Sequence, residues 1–241
     1  MGLNLTIDQG NSSAKLAVWD GSELVDQEEL KQLQPEHLQR VVEQFGPARA
    51  LCCSVTGNGK KIARHLLGLG VSAREVSYDM PLPLVLDYAT PHTLGEDRIA
   101  AAVGAWSLFP GENLLVVDMG TAVTYDLVSA DGHFRGGNIA PGIGMRLRSL
   151  HSFTARLPEV TGYGDTPLLG IDTATAMRAG ALRGVVAEIA YYRSKLGADT
   201  RIVLTGGWAH HVSEFLDFDV TVDPCLVTKG LLSILLYNEN K

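Results

Sequence analysis

Two stretches of the chain follow one pattern, and this repetition constrains the fold more than any other feature of the sequence. They span residues 5–15 and 115–124. Each has an apolar strand pattern that ends in Asp-x-Gly, then small polar residues, then a second strand pattern. The two aspartates, Asp8 and Asp118, are 110 positions apart (118 minus 8). We therefore expect a duplicated fold whose two copies face one nucleotide.

The residue types in this pattern suit the binding of phosphate and of metal ions. A strand-end aspartate can hold a hydrated cation, and glycine lets the backbone approach a phosphate closely. Asn11, Ser12 and Thr121 bring hydrogen-bond donors to phosphate oxygens. A plain β-turn explains the Asp8 segment equally well when it is taken alone. Asp118, however, ends an apolar run where an unpaired carboxylate is costly to bury, so two matched carboxylates favour a functional site.

The order of the predicted elements also repeats. In the first half, we predict strands at 3–9, 13–19, 22–30 and 49–55 and helices at 36–44 and 60–67. In the second half, we predict strands at 113–119, 122–129, 133–139, 201–205 and 218–222 and helices at 141–152, 172–196, after 207 and at 226–237. Both halves contain the order β-β-β-α-β-α, which predicts an α/β fold with a mixed sheet in each half and a cleft between the halves. We place the halves at 1–110 and 111–241, with a helix at 96–109 near the cleft.

Composition and charge exclude several classes of protein. The formal net charge of −7 and the sequence pI of about 5.5 argue against a non-specific nucleic-acid binder. The chain has no signal-peptide pattern and no apolar run of the ~18 residues that a membrane span needs. Three cysteines, two of them adjacent, do not form a disulfide framework. We expect a cytoplasmic protein with no nucleic-acid or membrane partner.

A charged segment, Gly95-Glu96-Asp97-Arg98, begins the alanine-rich helix. Helix capping by itself explains Asp97, because an acidic side chain is favourable near a helix N-terminus. The charge of Arg98 opposes the helix dipole, so we expect an anionic ligand or a carboxylate partner for it. In a functional site, Asp97 would suit a general base and Arg98 a bidentate anion clamp.

Several further residues have simple structural interpretations. Asp172 or Thr173 caps the long helix. Thr173 is most simply an N-cap residue, Tyr88 a half-buried aromatic residue and Lys15 a solvated strand lysine. The segment 205–207, Thr-Gly-Gly, is either a plain turn or a place where a flat ring or a phosphate approaches a helix N-terminus. The glycine-rich segment 136–144 is a structural corner in its simplest interpretation.

Taken in order, these segments resemble the acetate/sugar kinase–Hsp70–actin superfamily, and most closely the type III pantothenate kinase family. The family motif Asp-x-Gly-Asn-Thr-x-x-Lys corresponds to residues 8–15, with Ser12 in place of threonine. Tyr88 precedes the Gly-x-Asp-Arg motif at 95–98, and Asp-x-Gly-Thr-Ala lies at 118–122. The remaining motifs follow in order, at 136–142, 150, 154–158, 172–173 and 205–207.

The resemblance implies the ATP-dependent phosphorylation of pantothenate to 4′-phosphopantothenate, the first step towards coenzyme A. It implies a fold of two ribonuclease H-like halves, as in actin-like ATPases. By this similarity ATP binds Asp8, Gln9, Gly10, Asn11, Ser12, Ser13, Ala14, Lys15 and Thr121. Pantothenate binds Tyr88, Gly95, Glu96, Asp97, Arg98 and Thr173.

The resemblance also assigns catalytic and ionic roles. Asp97 is the expected base, Asp118 the ligand of a monovalent cation, and Asp8 the residue that holds Mg²⁺ through water. The expected cofactors are ATP, Mg²⁺ and either K⁺ or NH₄⁺, and the expected assembly is a homodimer. Whether Arg98 contacts the carboxylate of pantothenate or the phosphate stays open at this point.

Three alternatives remain open from the residues alone. The first is a kinase of the same superfamily that acts on a sugar or another hydroxy acid. The second is a nucleotide-sensing regulator, although a pure sensor needs no base such as Asp97. The third is an actin-like filament protein, for which 241 residues is a short chain.

Overall fold

The computed structural model describes residues 2–239. Contacts divide the chain into two compact units. The first contains the residues up to Glu112, Asp126–Gly136 and the residues from Cys225 onwards. The second contains Asn113–Tyr125 and Gly137–Pro224. The division into halves at 1–110 and 111–241 stays a prediction.

The first sheet has five strands, and the first four residues of its central strand are buried. Its strands are β1 (Asn4–Gln9), β2 (Ala14–Asp20), β3 (Glu23–Leu30), β4 (Arg49–Ser54) and β5 (Ser72–Glu75), in the spatial order β3-β2-β1-β4-β5. Strand β1 is antiparallel to β2 and parallel to β4. Alternate side chains of β1, Leu5 and Ile7, enter the core with residues of helices α1 (Pro35–Phe45) and α2 (Gly59–Gly68).

The second sheet repeats this order and adds one short strand. Its strands are β6 (Val85–Leu86), β7 (Leu114–Met119), β8 (Ala122–Val128), β9 (His133–Pro141), β10 (Arg201–Thr205) and β11 (Thr221–Val222). The spatial order is β11-β10-β7-β8-β9-β6, and β7 is parallel to β10 as β1 is to β4. Without β6, the order matches that of the first sheet strand for strand. The duplication predicted from Asp8 and Asp118 is therefore confirmed.

Three helices cover the core of the second unit. They are α4 (Ile143–Ser152), α5 (Thr173–Leu196) and α6 (Ala209–Ser213). Buried residues of α5, including Val185 and Ile189, share one cluster with Leu115 and Val117 of β7. Helix α5 begins with a capping box in which the side chain of Asp172 accepts from the backbone N–H of Thr175 at 2.8 Å.

Helices α3 (Glu96–Leu108) and α7 (Leu226–Glu239) pack closely in the first unit. A Cβ atom on Gly104 would collide with the carbonyl of Leu226, and one on Gly230 would collide with the carbonyl of Ala100. The two backbones can approach because neither glycine carries a side chain. This packing fixes α3, whose first turn carries Asp97.

Several predicted elements differ from the observed ones. Strands β5 and β6 were not predicted, and the strand predicted at 218–222 contains only Thr221–Val222. The helix after residue 207 has five residues, Ala209–Ser213. Within residues 2–239, no helix combines the length and the apolar character that crossing a membrane requires.

Candidate active site

Asp8 lies near the end of β1, between Lys15 on β2 and Cys53 on β4. The fully buried thiol of Cys53 donates a hydrogen bond to Oδ1 of Asp8 at 3.5 Å. Burial raises the pKa of Asp8 to about 6; the charge of Asp97 adds to this rise, while the Cys53 hydrogen bond and Lys15 oppose it. Such a carboxylate gains most from a bound cation, which compensates its buried charge.

The segment after Asp8 forms a tight turn. The backbone N–H of Gly10 donates to the carbonyl of Ser13 at 2.9 Å, and Asn11 and Ser12 are exposed at its tip. Ala14 is buried at the start of β2, and the hydroxyl of Ser13 donates to Glu29 at 2.8 Å. The turn therefore exposes Asn11 and Ser12 to solvent, while Ser13 and Ala14 hold it in place.

Gln9 ties this turn to the end of β4. Its side-chain carbonyl accepts hydrogen bonds from the hydroxyls of Ser54 at 2.7 Å and Thr56 at 3.1 Å. The backbone N–H of Ser54 in turn donates to a carboxylate oxygen of Glu96 at 3.5 Å. Burial, and then the charge of Glu75, raise the pKa of Glu96. The end of β4 thus connects the predicted ATP segment with the start of α3.

Asp97 lies in the first turn of α3, just after the N-cap residue Gly95. A Cβ atom on Gly95 would lie 2.5 Å from Oδ1 of Asp97, so a side chain at position 95 would crowd the carboxylate. The backbone N–H of Arg98 donates to the same oxygen at 2.9 Å. Burial raises the pKa of Asp97, against the opposing effects of the Arg98 N–H and its charge.

The structure brings Asp97 and Asp8 within electrostatic reach of each other, in the same unit. The charge of Asp97 raises the pKa of Asp8 and also that of the Cys53 thiol. Two nearby carboxylates disfavour simultaneous ionisation, so a cation at one of them favours charge on the other. The pair suits chemistry in which one carboxylate serves a cation and its neighbour takes up a proton.

Arg98 is buried, with 5% of its surface exposed, and it is paired with Asp126 on β8. Its Nε donates to Oδ1 of Asp126 at 3.0 Å and to Oδ2 at 3.2 Å. The rings of Tyr88 and Phe134 each lie 5.8 Å from the guanidinium carbon. Of the two partners that the sequence allowed for Arg98, the structure therefore supplies the carboxylate.

Asp118 occupies the end of β7 in the second unit, beside Thr205 on β10. Gly206 follows with φ of +87°, and a Cβ atom there would lie 2.6 Å from Oδ1 of Asp118 and 2.6 Å from the carbonyl carbon of Met119. Only glycine permits this conformation together with this contact. The Thr-Gly-Gly segment is thus closely packed against Asp118.

The turn after Asp118 is held by the glycine-rich corner. The backbone N–H of Gly142 donates to the carbonyl of Thr121 at 3.1 Å. A Cβ atom on Gly142 would lie 2.5 Å from the carbonyls of Gly120 and Thr121. The corner therefore fixes the backbone at Thr121 in addition to turning the chain.

Thr173 is exposed at the first residue of α5. Of the two predicted candidates for the N-cap, Asp172 is confirmed, and the simplest interpretation of Thr173 as the N-cap is wrong. Asp172 takes this place because its Oδ1 accepts from the N–H of Thr175 and its own backbone is extended.

Two functional contacts were missed by the sequence reasoning. Asp126 lies 28 residues from Arg98, and Cys53 lies 45 residues from Asp8. A buried strand pattern at β4 gives no sign of a thiol aimed at a carboxylate. Asp126, the charged residue of the otherwise uncharged strand β8, was the one available signal.

Solved structures of similar fold come from proteins of low sequence identity. A protein from Campylobacter jejuni described as a Baf family transcriptional activator has a TM-score of 0.67 at 23% identity, over 98% of this chain and 100% of that one. The activator of the 2-hydroxyisocaproyl-CoA dehydratase from Clostridium difficile has a TM-score of 0.59 at 10% identity, over 99% and 96%. These likenesses concern the fold alone, and they confirm the predicted actin-like α/β class.

Sequence comparison identifies the family. A family model described as type III pantothenate kinase matches residues 4–209. A type III pantothenate kinase of Phocaeicola vulgatus is 40% identical over 240 residues, which cover 98% of this chain and 99% of the relative. With the ordered motifs and the duplicated fold, these matches lead to one conclusion: the chain belongs to the type III pantothenate kinase family.

Proposed function

We propose that this chain phosphorylates pantothenate with ATP to give 4′-phosphopantothenate, the first step of coenzyme A biosynthesis, with Asp97 as the base. Membership of the family makes the chain a kinase that uses ATP. The observation that carries the role of Asp97 is its environment. The carboxylate lies in the first turn of a closely packed helix, is half-buried, and has a pKa that burial raises; its charge in turn raises the pKa of Asp8.

The reaction is an in-line transfer in which positioning and charge neutralisation supply most of the catalysis. Asp97 takes the proton of the primary hydroxyl of pantothenate, and the hydroxyl oxygen forms a bond to the γ-phosphorus. The bond from that phosphorus to the bridging oxygen breaks, and its electrons leave with ADP. A raised pKa makes Asp97 a stronger proton acceptor than an ordinary aspartate.

The proposed ATP segment is residues 8–15 together with Thr121. The exposed tip at Asn11 and Ser12 and the tight turn at Gly10 support this role. Mg²⁺, when bound, would neutralise phosphate charge, and Asp8 is the residue that would hold it through water. One carboxylate together with substrate phosphates is a common arrangement for this ion in proteins.

Asp118 is the proposed ligand of a monovalent cation, K⁺ or NH₄⁺. Its position near the end of β7, with Oδ1 close to the backbone of Gly206, supports this role. The proposed pantothenate site consists of Tyr88, Gly95, Glu96, Asp97, Arg98 and Thr173. The clustering of Tyr88 with Arg98 supports this set.

We also propose a cytoplasmic homodimer. The second unit exposes several large apolar side chains, which favour burial against a partner: Phe153 (88%), Tyr163 (75%), Leu168 (74%), Leu169 (81%) and Ile171 (92%). Within residues 2–239, Cys52, Cys53 and Cys225 form no disulfide, as is usual in a reducing compartment.

The test is a phosphoryl-transfer assay with ATP, Mg²⁺, K⁺ and pantothenate, in which 4′-phosphopantothenate is followed by mass. We expect product that depends on pantothenate. Bound ATP without product would contradict the proposal and favour either the sensor or a kinase for another acceptor. A panel of hydroxyl compounds would separate these two alternatives.

A further inference from the structure

We propose that Asp126 is a positioning residue for the acceptor: it fixes the guanidinium of Arg98, and through it the ring of Tyr88, so that the carboxylate of the acceptor is recognised. This inference rests on the proposed function, because Arg98 and Tyr88 belong to the proposed pantothenate site. Asp126 itself lies on β8 and is 1% exposed, so it acts through Arg98.

The contact between Asp126 and Arg98 determines the plane of the guanidinium. Both Nε and Nη2 of Arg98 donate to Oδ1 of Asp126, and Nε also reaches Oδ2. A guanidinium held through two of its nitrogens has little freedom to rotate. The edge that carries Nη1 is the part that Asp126 does not contact.

Two aromatic rings restrict Arg98 further. Tyr88 and Phe134 meet edge to face, with ring centroids 5.9 Å apart, and the guanidinium carbon lies 5.8 Å from each ring. We call Arg98, Asp126, Tyr88 and Phe134 the Arg98 cluster. A change at Asp126 therefore reaches Tyr88 without a direct contact between the two.

Charge compensation gives the cluster its selectivity. Asp126 balances the charge of Arg98 before any acceptor arrives, so the pair is neutral and buried. An incoming carboxylate then meets oriented N–H donors in place of a diffuse positive field. Oriented donors in a desolvated site distinguish a carboxylate from a group that accepts fewer hydrogen bonds.

The experiment compares Asp126→Asn with the wild type on two acceptors. One is pantothenate and the other is its alcohol analogue, in which CH₂OH replaces the carboxylate. Asparagine keeps the shape of the side chain but presents one acceptor oxygen and an NH₂ group to the guanidinium. We expect kcat/KM for pantothenate to fall roughly 10-fold to 100-fold, mainly through KM, while the KM for ATP and the turnover of the alcohol change less than about 3-fold.

Other outcomes overturn the proposal. An equal loss on both acceptors would mean that Asp126 is purely structural, and a fall in kcat with unchanged KM would mean that Arg98 serves the phosphate. An unchanged or lower KM for pantothenate would also refute it. If Asp126→Asn does not fold, Asp126→Glu keeps the charge pair and displaces it by one methylene, and the same KM criteria apply to it.

A matched control and the wild type separate this inference from the proposed function. Asp131→Asn changes an exposed aspartate at the hairpin turn after β8 and should leave both acceptors unaffected. A wild type that makes no 4′-phosphopantothenate would refute the proposed function itself. An active wild type with an unaffected Asp126→Asn variant would refute only the role of Asp126.

Discussion

The thiol of Cys53 and the carboxylate of Asp8 form a hydrogen bond of 3.5 Å across the paired strands β4 and β1. Burial and the charges of Asp8 and Asp97 raise the pKa of the thiol well above its ordinary value. Cys53 therefore stays protonated and can only donate to Asp8. A neutral donor orients the carboxylate and leaves its negative charge available to a ligand.

The raised pKa of Asp8 predicts a stability cost at neutral pH. In the folded chain the carboxyl of Asp8 keeps its proton up to about pH 6, whereas the ordinary pKa of an aspartate is 3.8. Between these values the folded state binds more protons, so stability falls as the pH rises through this window. Asp8→Asn should therefore raise the free energy of unfolding at pH 7.5 by up to about 3 kcal/mol, at about 1.4 kcal/mol per pKa unit, and should reduce kinase activity.

Urea unfolding at pH 4 and pH 7.5 measures this effect. The wild type should lose stability relative to Asp8→Asn as the pH rises between these values. The exposed Asp20→Asn is the matched control and should follow the wild type. An Asp8→Asn variant that is less stable than the wild type at pH 7.5 would show that the Asp8 charge is well compensated without a ligand.

Removal of the proposed base should abolish turnover and preserve the fold. Asp97→Asn keeps an oxygen for the N–H of Arg98 but cannot take up a proton at neutral pH. We expect kcat to fall at least ~100-fold, with a thermal midpoint close to that of the wild type. Activity of the variant within about 3-fold of the wild type would remove Asp97 from the role of base.

Gly206 should be more sensitive to substitution than its neighbour. Gly206→Ala forces a side chain into a φ of +87° and against Oδ1 of Asp118. We therefore expect the free energy of unfolding to fall by about 1–3 kcal/mol. We also expect the variant to need a higher K⁺ concentration for activity. Gly207→Ala is the matched control, because a Cβ atom there meets nothing within 4 Å. Titration of the kinase activity with K⁺ measures this requirement in both variants. Equal K⁺ dependence of the two variants would show that Gly206 does not affect the binding of the cation.

The contact between α3 and α7 should couple stability to activity. Gly230→Ala pushes a methyl group into the carbonyl of Ala100, and this overpacking should cost about 1–3 kcal/mol and lower kcat by displacing Asp97. Gly180→Ala, on an exposed part of α5 with open space around it, should be neutral or slightly stabilising. Denaturant unfolding and steady-state kinetics measure both effects. Full activity in a destabilised Gly230→Ala variant would show that α3 does not depend on this contact.

Most long elements could be predicted from the sequence because local signals determine them. The strand predicted at 3–9 is observed at Asn4–Gln9, and Pro35 and Gly46 bound α1 as expected of a helix start and stop. Strands β5 and β6 have four and two residues and depend on their neighbours in the sheet. Local periodicity cannot reveal strands this short.

The candidate site was predictable in its residues but not in its contacts. The motifs identified Asp8, Asp97 and Asp118 because glycines and apolar runs flank them. Two of the site's contacts come from distant strands: Cys53 on β4 contacts Asp8, and Asp126 on β8 contacts Arg98. Such contacts depend on the spatial order of the strands in the sheet, and the duplicated sequence pattern predicts that order only approximately.

The exposed edge formed by β3 affects how separate molecules of this chain can associate. It forms the edge of the first sheet, and it exposes Leu24 and Val25 beside unpaired backbone groups. Such an edge tends to recruit strands from other molecules and start aggregation. Glu23, Asp26 and Glu29 line the same strand, and their like charges repel a second β3. At the matching edge of the second sheet, β6 covers β9 instead. The two copies of the fold have thus acquired different protection against the same hazard.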